Sequence, residues 1–531
     1  MQENQDKNKG PFYAIGIDMG TSGTKVALVD DSGKIVASAR GHVETILTKD
    51  GGGEQDANDW WRQIKQLIKD IVSKAGIPPE KIVAIGTDST WSNIVAVDKE
   101  GNPLMNAIMW MDSRGAPYVA ELVKGFPSVQ GYGLFKILKW LKIHGIPPVK
   151  SGIDCVAHIN YIKHEHPDIY AKTYKFVEPM DFVVSRMTGK ISANQCTMFA
   201  TIAVDNNKWG TVEYNDTLLK LSGIDKAKLP DLLPNNAVAG TLLPSLAAEL
   251  GLLPTTKVMA GISDNITTAI GSGVVHDYDG AIIVGTTLVM TSFVPAKKAD
   301  LPHLILTIPS AIKDKYIIMG VQGAGGRNLE FLINNLLYAN DSLMTGEISS
   351  DVYAKIDKLA AESPAGSNGV MYLPWVTGTI VPDENSHARA AFFNMGMDTA
   401  RSHVCRAIFE GIALNNLWTL GHMEKFTGRP FKSFRLSGGG ALSSTFCQTL
   451  ADVLNVPIHQ VVDPLDASSR GCALAAFLSL GYRTKDELPD LVKINKTFQP
   501  DGKNRAIYDK LFTQFMALHK ATKPMFKALN G

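Results

Sequence analysis

The segment FYAIGIDMGTSGTKVALVD, residues 12–30, decides how the rest of the chain reads. FYAIGID reads as a buried strand, MGTSG as a turn-rich corner and TKVALVD as a returning strand. Apolar runs bounded by glycine, serine and threonine are strand–turn–strand signals. DSG then turns the chain into a third strand, KIVASARG. The corner gathers Asp18, Gly20, Thr21, Ser22, Thr24 and Lys25. Glycines let backbone N–H groups face an anion, hydroxyls add donors, and a lysine adds positive charge. Asp18 ends the first strand, where a carboxylate can hold Mg2+ through water or simply cap the loop. The residues alone leave both open. This is not a Walker loop, because no GxxxxGK[ST] occurs.

Outward from the corner, a helix is expected over about 58–75, with Trp60, Trp61, Ile64, Leu67, Ile68, Ile71 and Val72 on one face. Asn58 or Asp59 can cap its start and Gly76 suits its end. A strand at 82–87, the loop Asp88-Ser89-Thr90-Trp91, and strands near 93–98 and 105–110 follow. Sheet hairpins alternating with helices mean an α/β chain. Residues 131–254 read as helices and loops, and a boundary falls near 253–256. The expected division is a tail over 1–10, a first domain over 11–254 and a second over 255–531. The second restarts the pattern: KVMAGI as a strand, SDNITTAIGSG opening a helix, then AIIVG, a Thr-Thr corner and LVMTSFV. The repeat of strand, Gly-Thr corner and strand suggests an ancient duplication.

Composition narrows the class. The 531 residues carry 53 Lys and Arg against 52 Asp and Glu, a net charge of +1. No long basic run stands out, which argues against nucleic acid as a partner. The five cysteines are scattered without a CxxC pair, so neither a disulfide framework nor a zinc site is expected. Residues 1–10 are polar and lack the apolar core of a signal peptide, and no run approaches the ~20 apolar residues of a membrane span. A disordered tail and a soluble, cytoplasmic protein are the expectations.

Four further groups could carry chemistry. Ser263-Asp264-Asn265 lies between a strand and a helix. A carboxylate there is stabilised by the helix dipole and can accept a proton, although an N-cap is the commoner role. Gly285-Thr286-Thr287 mirrors Gly20-Thr21-Ser22 and could hold outer phosphates, or be a tight turn. Gly438-Gly439-Gly440 before a helix exceeds what a turn needs and points to a ligand on bare backbone. Asp88-Ser89 could bond sugar hydroxyls, Trp91 and Trp110 could stack on a sugar face or pack in the core, and Asp112 with Arg114 reads as an internal salt bridge.

In this order the pieces resemble the FGGY carbohydrate kinases, a family within the superfamily of actin, hexokinase and the heat-shock chaperone ATPases. The resemblance spans nearly the whole chain. DMGTSGTK resembles the first phosphate loop, EQDANDWW (54–61) a stretch of xylulose kinases, and WMDSRG the segment after the sugar loop. GISDN resembles the segment bearing the catalytic aspartate, GTT the second phosphate loop, and LSGGGALSSTFCQTLADVLNVPI the adenosine loop with its helix. FEGIALNN, 409–416, falls at the signature helix.

The resemblance implies two actin-like, ribonuclease H-like domains facing across a cleft, with ATP and Mg2+ as cofactors. It implies Asp264 as general base and Asp18 with Asp264 at the metal. Thr21, Ser22 and a catalytic Lys25 would meet the transferring phosphoryl group, with Gly20 and Thr24 among the residues that bind the ATP phosphates. Gly285, Thr286 and Thr287 would hold nucleotide phosphates, and Gly439, Gly440 and Ser444 the adenosine. Asp88, Ser89, Thr90, Trp91, Asp264 and Asn265 would meet the sugar. A pentulose such as D-xylulose is the expected acceptor, and a homodimer is one assembly the family shows. Two departures stand out. Asp88-Ser89-Thr90 takes the place of a Met-His-Gly stretch, which keeps ribulose, gluconate and erythritol as alternatives. Gly378-Thr379-Ile380-Val381-Pro382 replaces Gly-Glu-Arg-Thr-Pro and loses a charged pair. A non-catalytic nucleotide-binding regulator on this fold is the other alternative.

Overall fold

The computed structural model describes residues 10–342 and 346–531. Apart from Gly10, the expected tail over 1–10 lies outside the described residues. The chain forms two large mixed sheets, each flanked by helices.

The first sheet begins with the expected meander: β1 (Tyr13–Gly20), β2 (Gly23–Asp30) and β3 (Ile35–His42). Helix α1 (Ala57–Ala75) follows. Its cap is Asp56, whose side chain accepts from the Asn58 N–H, two residues before the expected start. Its apolar face covers one side of the sheet, so Ile15, Ile17, Met19, Val26 and Leu28 pack with Trp60, Ile64 and Ile68. Strand β4 (Ile82–Ser89) pairs in parallel with β1. Three short strands complete this sheet: β5 (Val238–Thr241), β6 (Lys257–Met259) and β7 (Ile262–Ser263). The path runs β5-β6-β4-β1-β2-β3, and β7 also pairs with β4.

The domain boundary therefore needs correction. The expected second domain started at 255, yet β6 and β7 hydrogen-bond to β4 of the first sheet. The short apolar run KVM fits any parallel sheet, so pairing, not composition, decides its owner.

Helix α2 (Asp264–Gly271) leaves β7 and leads to the second sheet. Its strands are β8 (Gly280–Val284), β9 (Leu288–Val294), β10 (Ala299–Asp300), β11 (Ile305–Pro309) and β12 (Tyr316–Gln322), followed by β13 (Phe434–Ser437), β14 (Ile458–Val461) and β15 (Ile494–Phe498). Their order is β10-β11-β12-β9-β8-β13-β14-β15. Helices α3 (Arg401–Thr427), α4 (Ser444–Leu454), α5 (Ala467–Leu480) and α6 (Arg505–Asn530) complete the half.

The two sheets repeat one topology. β3-β2-β1-β4-β6 and β12-β9-β8-β13-β14 each run antiparallel, antiparallel, parallel, parallel. The join is a crossing of α2 with α5, and α5 also lies on β1 and β4. A Cβ built on Gly271 would sit 1.7 Å from the Ala467 carbonyl oxygen, and one on Gly471 1.7 Å from that of Thr267. Only glycine permits helices to approach this closely. The contact is reciprocal, as a pseudo-two-fold axis through it requires.

Candidate active site

Asp18 faces Lys25 on β2 and, on its other side, Asp88 on β4. Side chains alternate along a strand, so these three share one face. Lys25 Nζ donates to Asp18 Oδ2 at 2.9 Å. The Asp18 charge raises the Lys25 amine above its ordinary value, although burial opposes it.

Asp264 opens α2, with Ser263 as the preceding cap residue. Burial and then the Asp18 charge push its carboxyl up to about 7, against the Asn265 N–H and Lys25. Its Oδ1 is buried with no protein partner. The two carboxylates, 246 residues apart in sequence, thus lie within each other's field. Asn265 is half-buried beside it.

Asp88 is fully buried. Its Oδ2 accepts from Ser468 Oγ at 2.6 Å, from Cys472 Sγ at 3.1 Å and from Thr267 Oγ1. Burial and the Asp18 charge hold its carboxyl well above the usual range. Burial favours the neutral form of Asp88, and the rise at Asp264 beside Asp18 marks a place where added positive charge is favourable, which a divalent cation supplies. Among the described residues no group of three His, Cys, Asp or Glu side chains is arranged to hold a metal alone. Mg2+ binds through one or two carboxylates together with phosphate oxygens and water. Asp18 and the orphaned Asp264 oxygen fit this part.

The first corner is braced from below. Gln55 Nε2 donates to the Thr21 carbonyl at 2.7 Å, and Trp60 Nε1 donates to Gln55 Oε1 at 3.0 Å. Trp110 Nε1 donates to Thr21 Oγ1 at 3.1 Å. Gly20 and Thr21 are half-buried and Ser22 is exposed at the tip. Thr24 is a correction. It is buried with its hydroxyl unpartnered, and alternation from Lys25 turns it to the α1 side of the sheet. It does not share the face of Asp18, Lys25 and Asp88.

Asp88 and Ser89 are a second correction. They were expected in a sugar-facing loop, but β4 continues through both. Ser89 Oγ donates to the Thr90 carbonyl and to Met180 Sδ inside the core. Thr90 and Trp91 lie past the strand end, half-buried, and the Trp91 ring packs on Phe199 at 5.1 Å. Asp112 and Arg114 form the expected salt bridge, shared with Glu54.

On the second sheet, Gly285 and Thr286 are exposed at the β8–β9 corner and Thr287 is half-buried. The Gly438–Gly440 loop adjoins it: a Cβ on Gly438, whose φ is 82°, would sit 2.5 Å from the Val284 carbonyl oxygen. Ser444 is exposed at the first turn of α4, but the cap is Ser443, which accepts from the Phe446 N–H. Sequence reasoning missed the loop Gly323-Ala324-Gly325-Gly326. Its Gly325 N–H donates to the Thr286 carbonyl at 3.0 Å and its Gly326 N–H to the Gly285 carbonyl at 2.8 Å. Three glycines between a strand and a helix were the available signal.

Residues 13–271 match the N-terminal domain of the FGGY family of carbohydrate kinases, and residues 280–480 match its C-terminal domain. The chain belongs to this family. It is similar to a xylulose kinase of Bacillus subtilis, 28% identical over 98% of this chain and 99% of that one. It is 22% identical to a gluconokinase of Bacillus licheniformis over 96% of each chain. The solved structure of a ligand-bound xylulose kinase from Lactobacillus acidophilus has the same fold, with a TM-score of 0.83 at 23% identity over 97% of this chain and 99% of that one. This FGGY kinase is a carbohydrate kinase with a two-domain α/β fold, and membership implies ATP as its phosphoryl donor. Among the described residues no helix is long and apolar enough to cross a membrane.

Proposed function

We propose that this FGGY kinase transfers the γ-phosphoryl group of Mg-ATP to a hydroxyl of a pentulose such as D-xylulose. The observation that carries the reading is Asp264, held at the start of α2 beside Asp18 and Lys25 with one buried oxygen unpartnered. Asp264 accepts the hydroxyl proton, the freed oxygen bonds to phosphorus, and the bond to the ADP oxygen breaks. A base here need only take a late proton, since phosphoryl transfer depends chiefly on positioning and charge neutralisation. Lys25 neutralises charge on the transferring group. Gly20, Thr21 and Ser22 offer backbone and hydroxyl donors from one side, and Gly285, Thr286 and Thr287 from the other. Gly439 and Gly440 take the adenosine, near Ser444. Asp18 and Asp264 would hold the Mg2+, which would supply charge neutralisation when bound. Thr90, Trp91 and Asn265 are the remaining sugar-facing candidates.

Gluconate is the second acceptor reading, favoured by the similarity to a gluconokinase. Acceptor-stimulated ADP release across pentuloses, hexuloses, alditols and aldonates tests both. D-Xylulose is expected to give the highest kcat/KM; a maximum with gluconate selects the second reading. Asp264→Asn is expected to lose about 10²–10⁴-fold in kcat. Wild-type turnover in that variant would overturn the mechanism.

A further inference from the structure

Asp88 is an acid that the proposed chemistry does not use. It sits at the end of β4 with no exposed surface. Burial of a carboxyl group is costly unless its oxygens are bonded. Here Oδ2 collects three donors, Thr267 Oγ1 from α2 and Ser468 Oγ and Cys472 Sγ from α5, while Oδ1 is buried without a protein partner. The Thr267 and Ser468 hydroxyl oxygens lie 3.1 Å apart. The two donor helices are those that cross at Gly271 and Gly471. One oxygen of the first sheet thereby fastens both members of the pseudo-two-fold pair.

The consequence for Asp264 follows from helix geometry. Thr267 lies three residues after Asp264, one turn along the same helix. Its hydroxyl oxygen also lies 3.0 Å from the Asp264 carbonyl oxygen, although its one proton goes to Asp88. Asp18, on the strand next to β4, is in register with Asp88. The far end of α2 is held as well, since Arg470 Nε donates to the Gly271 carbonyl at 2.7 Å. A helix fixed near both ends cannot slide along its axis.

We propose that Asp88 is a positioning residue for phosphoryl transfer: through Thr267 and Ser468 it sets the distance between Asp264 on α2 and the Asp18–Lys25 pair on the hairpin. The assignment rests on the kinase reading above. It moves Asp88 from the sugar to the mechanism's frame.

The test compares Asp88→Ala, Asp88→Asn, Thr267→Val and Thr267→Ser in the full-length enzyme. Asp88→Ala and Thr267→Val should lower kcat by about 10- to 100-fold, the effect of a displacement of order 1 Å. KM for ATP should stay within about twofold. Asp88→Asn keeps an accepting oxygen and Thr267→Ser keeps the hydroxyl, so both should recover most of kcat. Amide hydrogen exchange over residues 264–271 should quicken in Asp88→Ala relative to wild type, with β1 unchanged. A role in stability alone would lower the melting temperature and leave kcat per folded molecule and local exchange at wild-type values; that result overturns the proposal. So would equal losses in Asp88→Asn and Asp88→Ala. If the wild type releases no acceptor-stimulated ADP, the kinase reading fails, while the exchange measurement still decides whether Asp88 holds α2. Should Asp88→Ala not fold, the Thr267 pair decides in its place.

Discussion

The two hairpins share a topology and differ in charge. Aligned on Gly20-Thr21-Ser22 and Gly285-Thr286-Thr287, Asp18 corresponds to Ile283. Lys25, opposite Asp18, corresponds to Val289, opposite Ile283. Asp88, in register with Asp18 on the parallel neighbour, corresponds to Ser437. Two acids and a lysine in the first half thus face two aliphatic residues and a serine in the second. Both corners can present backbone N–H groups, and the first alone of the two carries ionisable side chains. Under the proposed mechanism the first would serve the reacting group and the second would hold the nucleotide, a division that the fold alone does not impose.

The sharpest way to break this comparison is to discharge the first corner. Lys25→Met is expected to lower kcat by about 10²–10³-fold, as loss of a preorganised charge does. The same steady-state kinetics should show a smaller change in KM for ATP. A loss confined to KM would mean that Lys25 only binds.

Next comes pH. With Asp264 at about 7, its proton is present below that value and the base is disabled. The kcat/KM for the acceptor should fall about tenfold per unit below that value and level off above it. Stability runs the other way. A carboxyl raised above its unfolded value favours the folded state at low pH, and that advantage is lost as pH rises through about 7. Asp264→Asn should therefore melt higher than wild type at pH 8 without Mg2+, and the two should converge near pH 4. Calorimetry at both pH values checks the sign.

Giving the second corner the first corner's charge sharpens the contrast. Ile283→Asp should cost about 1–3 kcal/mol of stability in denaturant melts, because no partner awaits the carboxylate. Adding Val289→Lys opposite it should recover part of that loss. The smallest effect belongs to Thr24. Thr24→Val should leave kcat and both KM values unchanged and stabilise the fold by up to about 1 kcal/mol, since its buried hydroxyl has no partner.

The fold was largely legible because its signals are local. Apolar runs around glycine corners marked β1–β2 and β8–β9, and a one-sided stripe with Gly76 marked α1. Thr24 could have been assigned correctly, since alternation from Lys25 already turns it away. Asp88 could not. Its partners Thr267 and Ser468 are 179 and 380 residues distant, and nothing near it in sequence announces them. The boundary failed for a related reason: a three-residue strand carries no mark of which sheet it will join. Gln55 was legible as part of a family stretch, but its support of Thr21 is a contact made in space.

The crossing at Gly271 and Gly471 has a mechanical side. Main chain rests on main chain there, and the Arg470 side chain and the shared Asp88 oxygen pin the two helices beside it. A pinned contact can pivot but cannot slide. Relative turning of the lobes is therefore expected to centre on this pin, so that a few degrees at the axle become ångströms at the rims. A single methyl group, Gly471→Ala, would act as a wedge in that joint.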